Sequence, residues 1–572
     1  MRRFALACLL ACSLVAGTGT GTGTGVAAPA LGADPSGGDD SATHAAADGR
    51  ANATASLAAV FPDPVAGGDA GEFVVLDVPP GTDLGSYRLC DAGGCLALPN
   101  ASGGRVAVTG NPGRVRNLTG ADTRVSALPG DRRLELANGG ERIELRRGGV
   151  VADAVRYGST TEGSVYRRVE RERTAAGHSD AWAWRPLGAT DRPVVESGPA
   201  SVAAFALPDS PAIVRETVAA ADDRILLAGY TFTSERIADA LIAARERGVA
   251  VRVLVEGRPV GGASARQAAV LDRLAAAGVE VRAVGGPHAR YEFHHAKYAV
   301  VDDRALVLTE NWKPAGVGGR SSRGWGARID DPEVAAALAA TFRADAGWRD
   351  ARPWPAVRAD RRFERALAAN GSYPTRIDPE TVRAERVRLL VAPDNADREL
   401  RDLIDGADER VDVVQVSLGS ADGPFAAALI RAARRGVEVR VLLSGAWYVR
   451  EDNRELADRL EARADREDLP LSVRLADPGD RFEKVHAKGA VVDDRVALGS
   501  LNWNRQAAEE NREVVVVLEG GEPAAYYGEV FAEDWAASGG AFDGRGLPGI
   551  AVGAAGVAVL AALVVARRVE FE

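Results

Sequence analysis

The chain has 572 residues and a formal net charge of −10, from 70 basic and 80 acidic side chains. This length exceeds the roughly 100–200 residues of one domain, so we expect two to four domains. The contents of 46% hydrophobic and 26% charged residues exclude wholesale disorder and a multi-span membrane protein. The negative charge argues against a protein that packages nucleic acid, although a local basic groove is compatible with it.

The N-terminus has the pattern of a secretory signal peptide. Arginines at positions 2 and 3 precede an apolar run over residues 4–16, and small residues at 26–28 offer a cleavage site. The apolar run is too short for a transmembrane helix, which needs about 20 residues. We predict a signal peptide over residues 1–28 and a flexible Ala/Gly/Asp-rich spacer over residues 29–56.

Residues 57–190 consist of short β-like runs separated by turn residues, a pattern that predicts an all-β sandwich. The runs lie at 72–77, 133–136, 141–145 and 150–157. Once the signal peptide is removed, Cys90 and Cys95 are the only cysteines. They are close enough for one local disulfide in an oxidising compartment.

The same stretch resembles a lamin-tail domain. The resemblance rests on Gly71-Glu-Phe-Val-Val-Leu76, on Leu-Gly-Ser-Tyr-Arg-Leu at 84–89, and on the stretches at 134–145 and 151–158. It implies an immunoglobulin-like module that binds a partner or acts as a spacer. It implies no functional residues, and the partner stays open.

Between residues 200 and 537, strand-like and helix-like patterns alternate, and the same order occurs twice. In the first copy, strand patterns at 225–232, 249–255 and 279–284 alternate with helical periodicity at 235–247 and 265–277. In the second copy, the strand patterns lie at 411–418, 437–443 and 471–475, and the helical ones at 425–435 and 454–466. We predict two tandem α/β units over 200–348 and 386–537, joined by a linker over 349–385.

Each unit carries the same motif of histidine and lysine. The first unit reads Phe293-His-His-Ala-Lys-Tyr-Ala-Val-Val-Asp-Asp-Arg304, and the second reads Val485-His-Ala-Lys-Gly-Ala-Val-Val-Asp-Asp-Arg495. The matched pairs are His295 with His486, Lys297 with Lys488, Asp302 with Asp493, and Asn311 with Asn502. Two of the six histidines and two of the four lysines in the chain therefore stand at matched places.

These residue types suit phosphate chemistry. On a strand, His-X-Lys places the imidazole and the ammonium on one face, because side chains alternate with a period of two. Two such hairpins face to face form a pocket of two imidazoles, two ammoniums and two amides, which fits a phosphate and its transition state. One imidazole can attack phosphorus while the other protonates the departing alcohol. The lysines supply the positive charge, so we expect no metal or other cofactor.

The paired motifs resemble the phospholipase D superfamily, whose mark is His-X-Lys-X4-Asp followed by Gly-Ser-X-Asn, present twice. The resemblance implies a phosphohistidine intermediate, with His295 and His486 as the catalytic pair and the repeats pairing within one chain. It also implies that the two matched lysines and the two matched asparagines hold phosphate oxygens. Asp302 and Asp493 would support the hairpins.

The first copy departs from the superfamily pattern in two places. It reads Leu308-Thr309-Glu310-Asn311 where Gly-Ser-X-Asn is usual. The superfamily often has a carboxylate that orients the opposite histidine; Glu513 fits in the second copy, but the corresponding position in the first is Gly324. We therefore expect Glu513 to support His295, with His295 as the nucleophile and His486 as the general acid.

The C-terminus predicts a membrane anchor. Residues 547–566 are uncharged and are followed by two arginines at 567 and 568. That length spans a bilayer, and the arginines are expected on the cytoplasmic side. The predicted location is the cell surface, as a single-pass protein with an extracellular catalytic part.

Several substrates stay open, because one fold hosts many functions. A tethered exported enzyme meets lipid head groups, and the negative charge disfavours polyanions, so a phospholipid is our first choice. Lamin-tail modules often accompany exported nucleases, which favours DNA or RNA as the alternative. A phosphatidyl transferase, or a surface binding protein whose hydrolase part is inactive, are further alternatives.

Overall fold

The computed structural model describes residues 54–65, 70–116, 118–119, 122–169, 181–359, 361–363 and 365–538. The predicted signal peptide, the spacer up to residue 53 and the predicted transmembrane helix at 547–566 lie outside the described residues. Within the described ranges, no helix is both long and apolar enough to cross a membrane. The described residues belong to the compact unit that begins at Thr54.

The N-terminal region is rich in strands. Its elements are β1 (Ser56–Phe61), β2 (Phe73–Asp83), β3 (Tyr87–Cys90), β4 (Cys95–Ala97), β5 (Ser102–Thr109), α1 (Pro112–Val115), β6 (Thr123–Ala127), β7 (Arg142–Arg147), β8 (Val150–Arg156), β9 (Ser164–Val169) and β10 (Ala181–Pro186). The strands form a six-stranded sheet, in the order β10-β9-β1-β2-β5-β6, and a four-stranded sheet, in the order β4-β3-β7-β8.

The two N-terminal sheets share one apolar core. Val74 and Leu76 of the larger sheet pack in the same cluster as Leu89 and Leu145 of the smaller one. Alternate residues of a strand point to the same face, so each sheet can bury one face against the other. The predicted β character of this region is confirmed.

Two sequence predictions fall within these sheets. Cys90 and Cys95 form a disulfide where they oppose each other in the β3–β4 pair. The strand predicted at 133–136 is wrong, because this segment is irregular. Its leucines are buried and the N–H of Leu136 donates to Glu72 Oε1 at 2.9 Å, so the apolar alternation reflects burial without a sheet partner.

The first repeat, with the segments that flank it, contains ten strands in the described ranges. Its elements are β11 (Val195–Ser197), β12 (Ala200–Leu207), α2 (Ala212–Ala219), β13 (Arg224–Gly229), α3 (Glu235–Glu246), β14 (Ala250–Glu256), α4 (Ala265–Ala276), β15 (Glu280–Val284), β16 (Tyr298–Val301), β17 (Arg304–Leu308), β18 (Ser322–Asp330), α5 (Pro332–Ala346), β19 (Ala351–Pro353), α6 (Trp354–Ala359) and β20 (Glu380–Ala384).

The second repeat contains β21 (Arg386–Ala392), α7 (Ala396–Asp405), β22 (Arg410–Gln415), α8 (Pro424–Arg434), β23 (Glu438–Leu443), α9 (Arg450–Glu467), β24 (Leu471–Leu475), β25 (Lys484–Val485), β26 (Gly489–Val492), β27 (Arg495–Gly499), α10 (Arg505–Glu509), β28 (Glu513–Glu519) and α11 (Gly521–Ala537). It follows the order of β12 to α5 and adds the short elements β25 and α10.

Each repeat is built on a mixed sheet. The first sheet has the order β19-β15-β14-β13-β16-β17-β18-β12-β20, with β25 beside β18, and the second has the order β11-β21-β28-β27-β26-β22-β23-β24. Strands β13, β14 and β15 are parallel, as are β22, β23 and β24, while the hairpins β16–β17 and β26–β27 are antiparallel. The prediction of two tandem α/β units is confirmed.

The helix ends follow the local sequence. Ser234 precedes α3, and its Oγ accepts the N–H of Ile237 at 3.4 Å; Ser264 precedes α4 and accepts the N–H of Gln267 at 3.1 Å. A serine in this position satisfies an N–H that has no partner within the helix. Shortly after the end of α3, Gly248 has a φ of +98°, a conformation that glycine adopts without strain.

The two repeats pack against each other through a common core. In α11, the hydroxyl of Tyr527 donates to the carbonyl of Gly326 in β18 at 2.7 Å, and its ring lies 4.9 Å from that of Trp325. Strand β11, which precedes the first repeat, pairs with β21 of the second. The predicted linker at 349–385 contributes β19 and β20 to the first sheet. The repeats are therefore held together by strands as well as by side chains.

Candidate active site

The matched histidines and lysines stand just before the two hairpins. His295 and Lys297 lie in the extended segment that leads into β16, and His486 and Lys488 lie in the one that leads into β26. The motif pattern predicts these residues on the strands themselves; this prediction is wrong by a few residues, because these segments pair with the opposite repeat. In both motifs the backbone remains extended, so the two side chains are still separated by one residue on the same run.

The two aspartates of the motifs hold the hairpin turns. Asp302 and Asp493 have φ values of +53° and +50°, in the left-handed region. Each carboxylate accepts three backbone N–H groups, from residues 222–224 and 408–410 respectively, at 2.9–3.0 Å. Partial burial alone would raise the pKa of each carboxyl, but these hydrogen bonds outweigh it and lower the pKa. The geometry is that of a support, away from the reacting atoms.

The backbone of each repeat holds the histidine of the other. The N–H of His295 donates to the carbonyl of Arg512, and the N–H of His486 donates to the carbonyl of Arg323, both at 2.9 Å. Residues 512 and 323 come directly before Glu513 and Gly324. This exchange brings the second repeat's Glu513 to the first repeat's histidine.

His295 is paired with Glu513. Its Nδ1 lies 2.8 Å from Oε1 and 3.0 Å from Oε2 of that carboxylate, and both side chains are buried. Burial is the largest influence on His295 and lowers its pKa to about 4; Glu513 opposes this shift, and the ammoniums of Lys297 and Lys488 add to it. Burial would raise the pKa of Glu513, but the attraction and hydrogen bond of His295 leave it lowered. His295 is therefore neutral at neutral pH, as a nucleophile requires.

His486 also has a carboxylate neighbour, which the sequence analysis missed. Its Nδ1 lies 3.2 Å from Glu310 Oε2. Matching the repeats led to Gly324, which left His486 without a carboxylate; that expectation is wrong. The acidic residue inside Thr309-Glu310-Asn311, where the motif allows any residue, was the available signal.

Each lysine of the motifs contacts the histidine two residues before it. Lys488 Nζ lies 3.0 Å from His486 Nε2 and also donates to the carbonyl of His486 at 2.7 Å. Since an ammonium only donates, Nε2 of His486 accepts in this contact, which leaves the ring proton of a neutral His486 on Nδ1. In the first repeat, Lys297 Nζ donates to the carbonyl of His295 at 2.7 Å. Both histidines have a carboxylate neighbour, so the choice of His295 as the nucleophile stays a prediction.

A cavity of about 180 Å³ opens onto both histidines. Asn502 lines it with them, but Lys297, Lys488 and Asn311 are buried and do not. Asn311 has no hydrogen-bond partner for either amide atom within the described part of the chain. The two expected phosphate-binding amides are thus placed unequally, in line with the departure of the first copy from Gly-Ser-X-Asn.

Tyr230 is a second residue that sequence reasoning missed. Its ring meets that of His295 edge-on, with centroids 4.7 Å apart, and Lys297 Nζ lies 5.3 Å from the Tyr230 centroid. Burial raises the pKa of the Tyr230 hydroxyl, which therefore stays protonated. Tyr230 comes directly after β13, a strand that is parallel to β14. This position at the end of a parallel strand was the only feature of the sequence that pointed to a residue of the site.

Two stretches, residues 214–346 and 400–535, match the family model described as a cardiolipin synthase, phospholipase D-like domain. They coincide with the two repeats that bring the paired histidines together. The repeats belong to the phospholipase D superfamily. The predicted superfamily and the prediction of a phosphodiesterase enzyme are confirmed. The lamin-tail resemblance of the N-terminal region stays a prediction.

Several solved structures are similar to this chain. A phosphatidylserine synthase from Haemophilus influenzae Rd KW20 has 16% identity and a TM-score of 0.45, with 59% of this chain and 86% of that one covered. Nuc from Salmonella typhimurium, a phospholipase D family member, has 21% identity and a TM-score of 0.24, with 28% and 98% covered. NucT from Helicobacter pylori has 24% identity and a TM-score of 0.23, with 26% and 96% covered. No curated protein matches the sequence.

Proposed function

We propose that this chain is an exported, membrane-anchored phosphodiesterase that hydrolyses a phospholipid at its head-group phosphodiester. The reaction proceeds through a phosphohistidine and uses no metal. We choose a phospholipid as the substrate because of the residues that line the cavity at the two histidines. Two exposed loops support this choice.

The cavity is lined by apolar and amide side chains. Tyr230, Val260 and Phe293 line it from the first repeat. The second repeat contributes four amide side chains, from Asn502, Asn504, Gln506 and Asn511, and two apolar ones, from Val416 and Ala507. None of the described residues that line it is an arginine or a lysine. Apolar residues suit the lipid part of a phospholipid, and amides suit a polar head group.

This lining fits a nucleic-acid strand less well. Such a strand presents a phosphate at every nucleotide, and proteins that bind it line its path with cations and stacking aromatic rings. Here the cavity of about 180 Å³ has no cationic side chain in its lining, and the lysines of the motifs are buried behind it. A substrate with one phosphodiester therefore matches the site better than a polyanion.

Two exposed apolar side chains stand in the loops after the corresponding strands β14 and β23. Val260 is 54% exposed and Trp447 is 63% exposed. The N–H of Val260 donates to the hydroxyl of Tyr230 at 2.6 Å, so its loop contacts the residue that packs on His295. Trp447 adjoins Tyr448, whose ring lies 5.5 Å from Nζ of Lys484, two residues before His486. Both loops thus flank the histidine segments. Their exposed apolar side chains can enter a lipid surface.

The proposed chemistry has two steps. His295 Nε2 attacks phosphorus; the P–N bond forms, the P–O bond to the head-group alcohol breaks, and His486 donates a proton to that oxygen. A water molecule then gives a proton to His486 and attacks phosphorus, the P–N bond breaks, and a phosphate monoester leaves. Before the first step, phosphate oxygens draw Lys488 away from His486 Nε2, and that nitrogen takes up a proton from solvent, which it then donates to the leaving alcohol oxygen.

A surface nuclease is the second candidate, because a larger groove lies elsewhere on the molecule. Its volume is about 1,080 Å³, and it runs between the N-terminal sheet and the second repeat. It is lined by six arginines, Arg105, Arg167, Arg168, Arg185, Arg192 and Arg398. Four of them, Arg105, Arg167, Arg168 and Arg398, form ion pairs with Asp77, Asp191, Asp153 and Glu399 respectively, which reduces their attraction for a polyanion. The groove also has no residue in common with the lining of the catalytic cavity.

The location and the N-terminal region complete the proposal. The signal-like N-terminus and the apolar stretch at 547–566 support export and anchoring at the cell surface. The lamin-tail-like sequence and the two-sheet core of residues 57–190 support an immunoglobulin-like module that binds a partner or sets the distance from the membrane.

The test offers both substrates to the full chain in the presence of a chelator, with His295→Asn as the blank. Phospholipid vesicles and a single-stranded oligonucleotide are incubated in parallel. Release of head group by the wild type alone is the expected result. Cleavage of the oligonucleotide with intact lipid would replace the phospholipid by nucleic acid, and cleavage of neither would favour the non-catalytic alternative.

A further inference from the structure

We propose that Glu310 is the positioning residue of His486, as Glu513 is of His295, so that the two carboxylates reach their histidines from different places in the two repeats. This inference rests on the proposed function, because it assigns a role in the same reaction. Three observations carry it: the register of the strands, the space around Gly324, and the contact with the imidazole.

The register makes Gly324 the structural counterpart of Glu513. Leu308 at the end of β17 pairs with Gly326, and Gly499 at the end of β27 pairs with Val515. Counting two residues back from each partner gives 324 and 513. The preceding arginines accept the histidine N–H groups at the same distance of 2.9 Å. The first repeat therefore has a glycine where the second has its carboxylate.

The side chain of Glu310 fills the space that this glycine leaves. A Cβ on Gly324 would collide with Glu310 Cγ and would stand 2.6 Å from its Oε1. A Cβ on Gly316 would stand 2.5 Å from its Oε2. Side chains do not approach so closely, so both positions accept only glycine while Glu310 keeps its conformation. Glu310 is itself fully buried.

The second repeat has the complementary arrangement. Counting from the end of the matched strands, Glu310 corresponds to Leu501, which is buried in the apolar core of that repeat. One repeat thus has glutamate in the loop and glycine on the strand, and the other has leucine in the loop and glutamate on the strand. The two exchanges compensate each other.

The contact between Glu310 and His486 indicates what this carboxylate does. Glu310 Oε2 lies 3.2 Å from His486 Nδ1, while Nε2 of the same ring contacts Lys488. A carboxylate at Nδ1 fixes the ring and its tautomer and stabilises the imidazolium that a general acid must form. Glu310 acts through His486 and touches no reacting atom.

The test exchanges the two arrangements. Glu310→Leu should lower kcat on a soluble diester with little change in KM, by about 100-fold if the ring shifts by roughly 1 Å. Gly324→Glu alone collides with Glu310 and should not improve kcat. The double variant Glu310→Leu with Gly324→Glu copies the second repeat and should recover at least about tenfold of the lost kcat. Glu310→Gln keeps the volume and serves as the conservative comparison.

A second measurement separates this inference from the proposed function. The pKa of His486, followed by NMR on histidine-labelled protein, should fall in Glu310→Gln, because a neighbouring negative charge is lost. This result requires no substrate, so a chain that cleaves no phospholipid can still confirm it. An unchanged pKa of His486 would overturn the proposal. So would a folded double variant that is no faster than Glu310→Leu on a diester that the wild type cleaves.

Discussion

Arg323 in the first repeat forms a buried ion pair with Asp534 in the last helix of the second, with Nε and Oδ2 2.9 Å apart. The reverse pair joins Arg512 of the second repeat to Asp345 in α5 of the first, at 3.1 Å. The backbone carbonyls of the same two arginines accept the N–H groups of the active-site histidines. The contacts that hold the repeats together therefore also place the catalytic imidazoles.

Removal of Arg323 should strongly destabilise the chain. In Arg323→Met, the buried carboxylates of Asp209 and Asp534 lose the guanidinium that both contact. Breaking a buried pair in this way costs about 3–5 kcal/mol of unfolding free energy. Arg481 remains 2.9 Å from Asp534, so we expect the lower part of that range. Urea denaturation measures the difference.

The matched control for this variant is an exposed ion pair. Arg459 and Glu455 form one on α9, with side chains 61% and 65% exposed. Arg459→Ala should change the unfolding free energy by less than about 1 kcal/mol. Equal effects of the two substitutions would show that the pair between the repeats contributes no more than a surface contact.

The phosphohistidine should form on His295. In His486→Asn, a diester with a p-nitrophenol leaving group can still react, because this leaving group needs no proton from a general acid. The second step should then stall, since no imidazole activates water, and the covalent intermediate accumulates. Mass spectrometry of the quenched protein should locate phosphate on His295. Phosphate on His486 in a quenched reaction of the wild type, with His295 unmodified, contradicts the assignment.

In the pH profile of kcat/KM, the decrease on the acid side (the acid limb) should occur at unusually low pH. His295 attacks only as the neutral imidazole, and burial lowers its pKa to about 4 from the ordinary 6.5. As the pH falls, kcat/KM should therefore persist through 6.5 and decline only near 4. Glu513 raises this pKa, so Glu513→Gln should move the limb to still lower pH. A wild-type limb near 6.5 on a soluble diester would remove His295 from the role of nucleophile.

The exposed tryptophan of the second repeat should matter for vesicles alone. Trp447→Ser removes an apolar ring that can enter a lipid surface, and vesicle binding should weaken about tenfold, since a large side chain contributes roughly 1.5–3 kcal/mol on burial. Cosedimentation measures binding in a His295→Asn background, where lipid stays intact. Hydrolysis of a soluble diester should be unchanged in Trp447→Ser alone.

Leu367 provides the control for this experiment. Its side chain is 79% exposed, which is the highest value among the large hydrophobic residues of the described chain. It lies in the linker between the repeats. Leu367→Ser should leave vesicle binding unchanged. If both substitutions weaken binding equally, general surface hydrophobicity is responsible and the loops have no special role.

The two repeats and the matched histidines could be predicted from the sequence. They follow from spacing along one chain, because a strand, a turn and a return strand require apolar and polar residues at short, regular intervals. The superfamily, and the assignment of Glu513 to His295, came from the resemblance of the paired motifs to known proteins. The irregular segment at 133–136 shows the limit of such patterns, since burial without a sheet partner gives the same alternation.

The surroundings of each imidazole could not be predicted from the sequence, because they depend on packing between distant segments. Glu310 reaches His486 because two glycines far along the loop and strand leave room for its side chain, and no local spacing records that room. Tyr230 meets His295 for a similar reason, as the strand that precedes it and the histidine segment are distant in sequence but adjacent in the sheet. A motif specifies which groups are present, whereas packing between the repeats determines which nitrogen, carboxylate and ammonium come into contact.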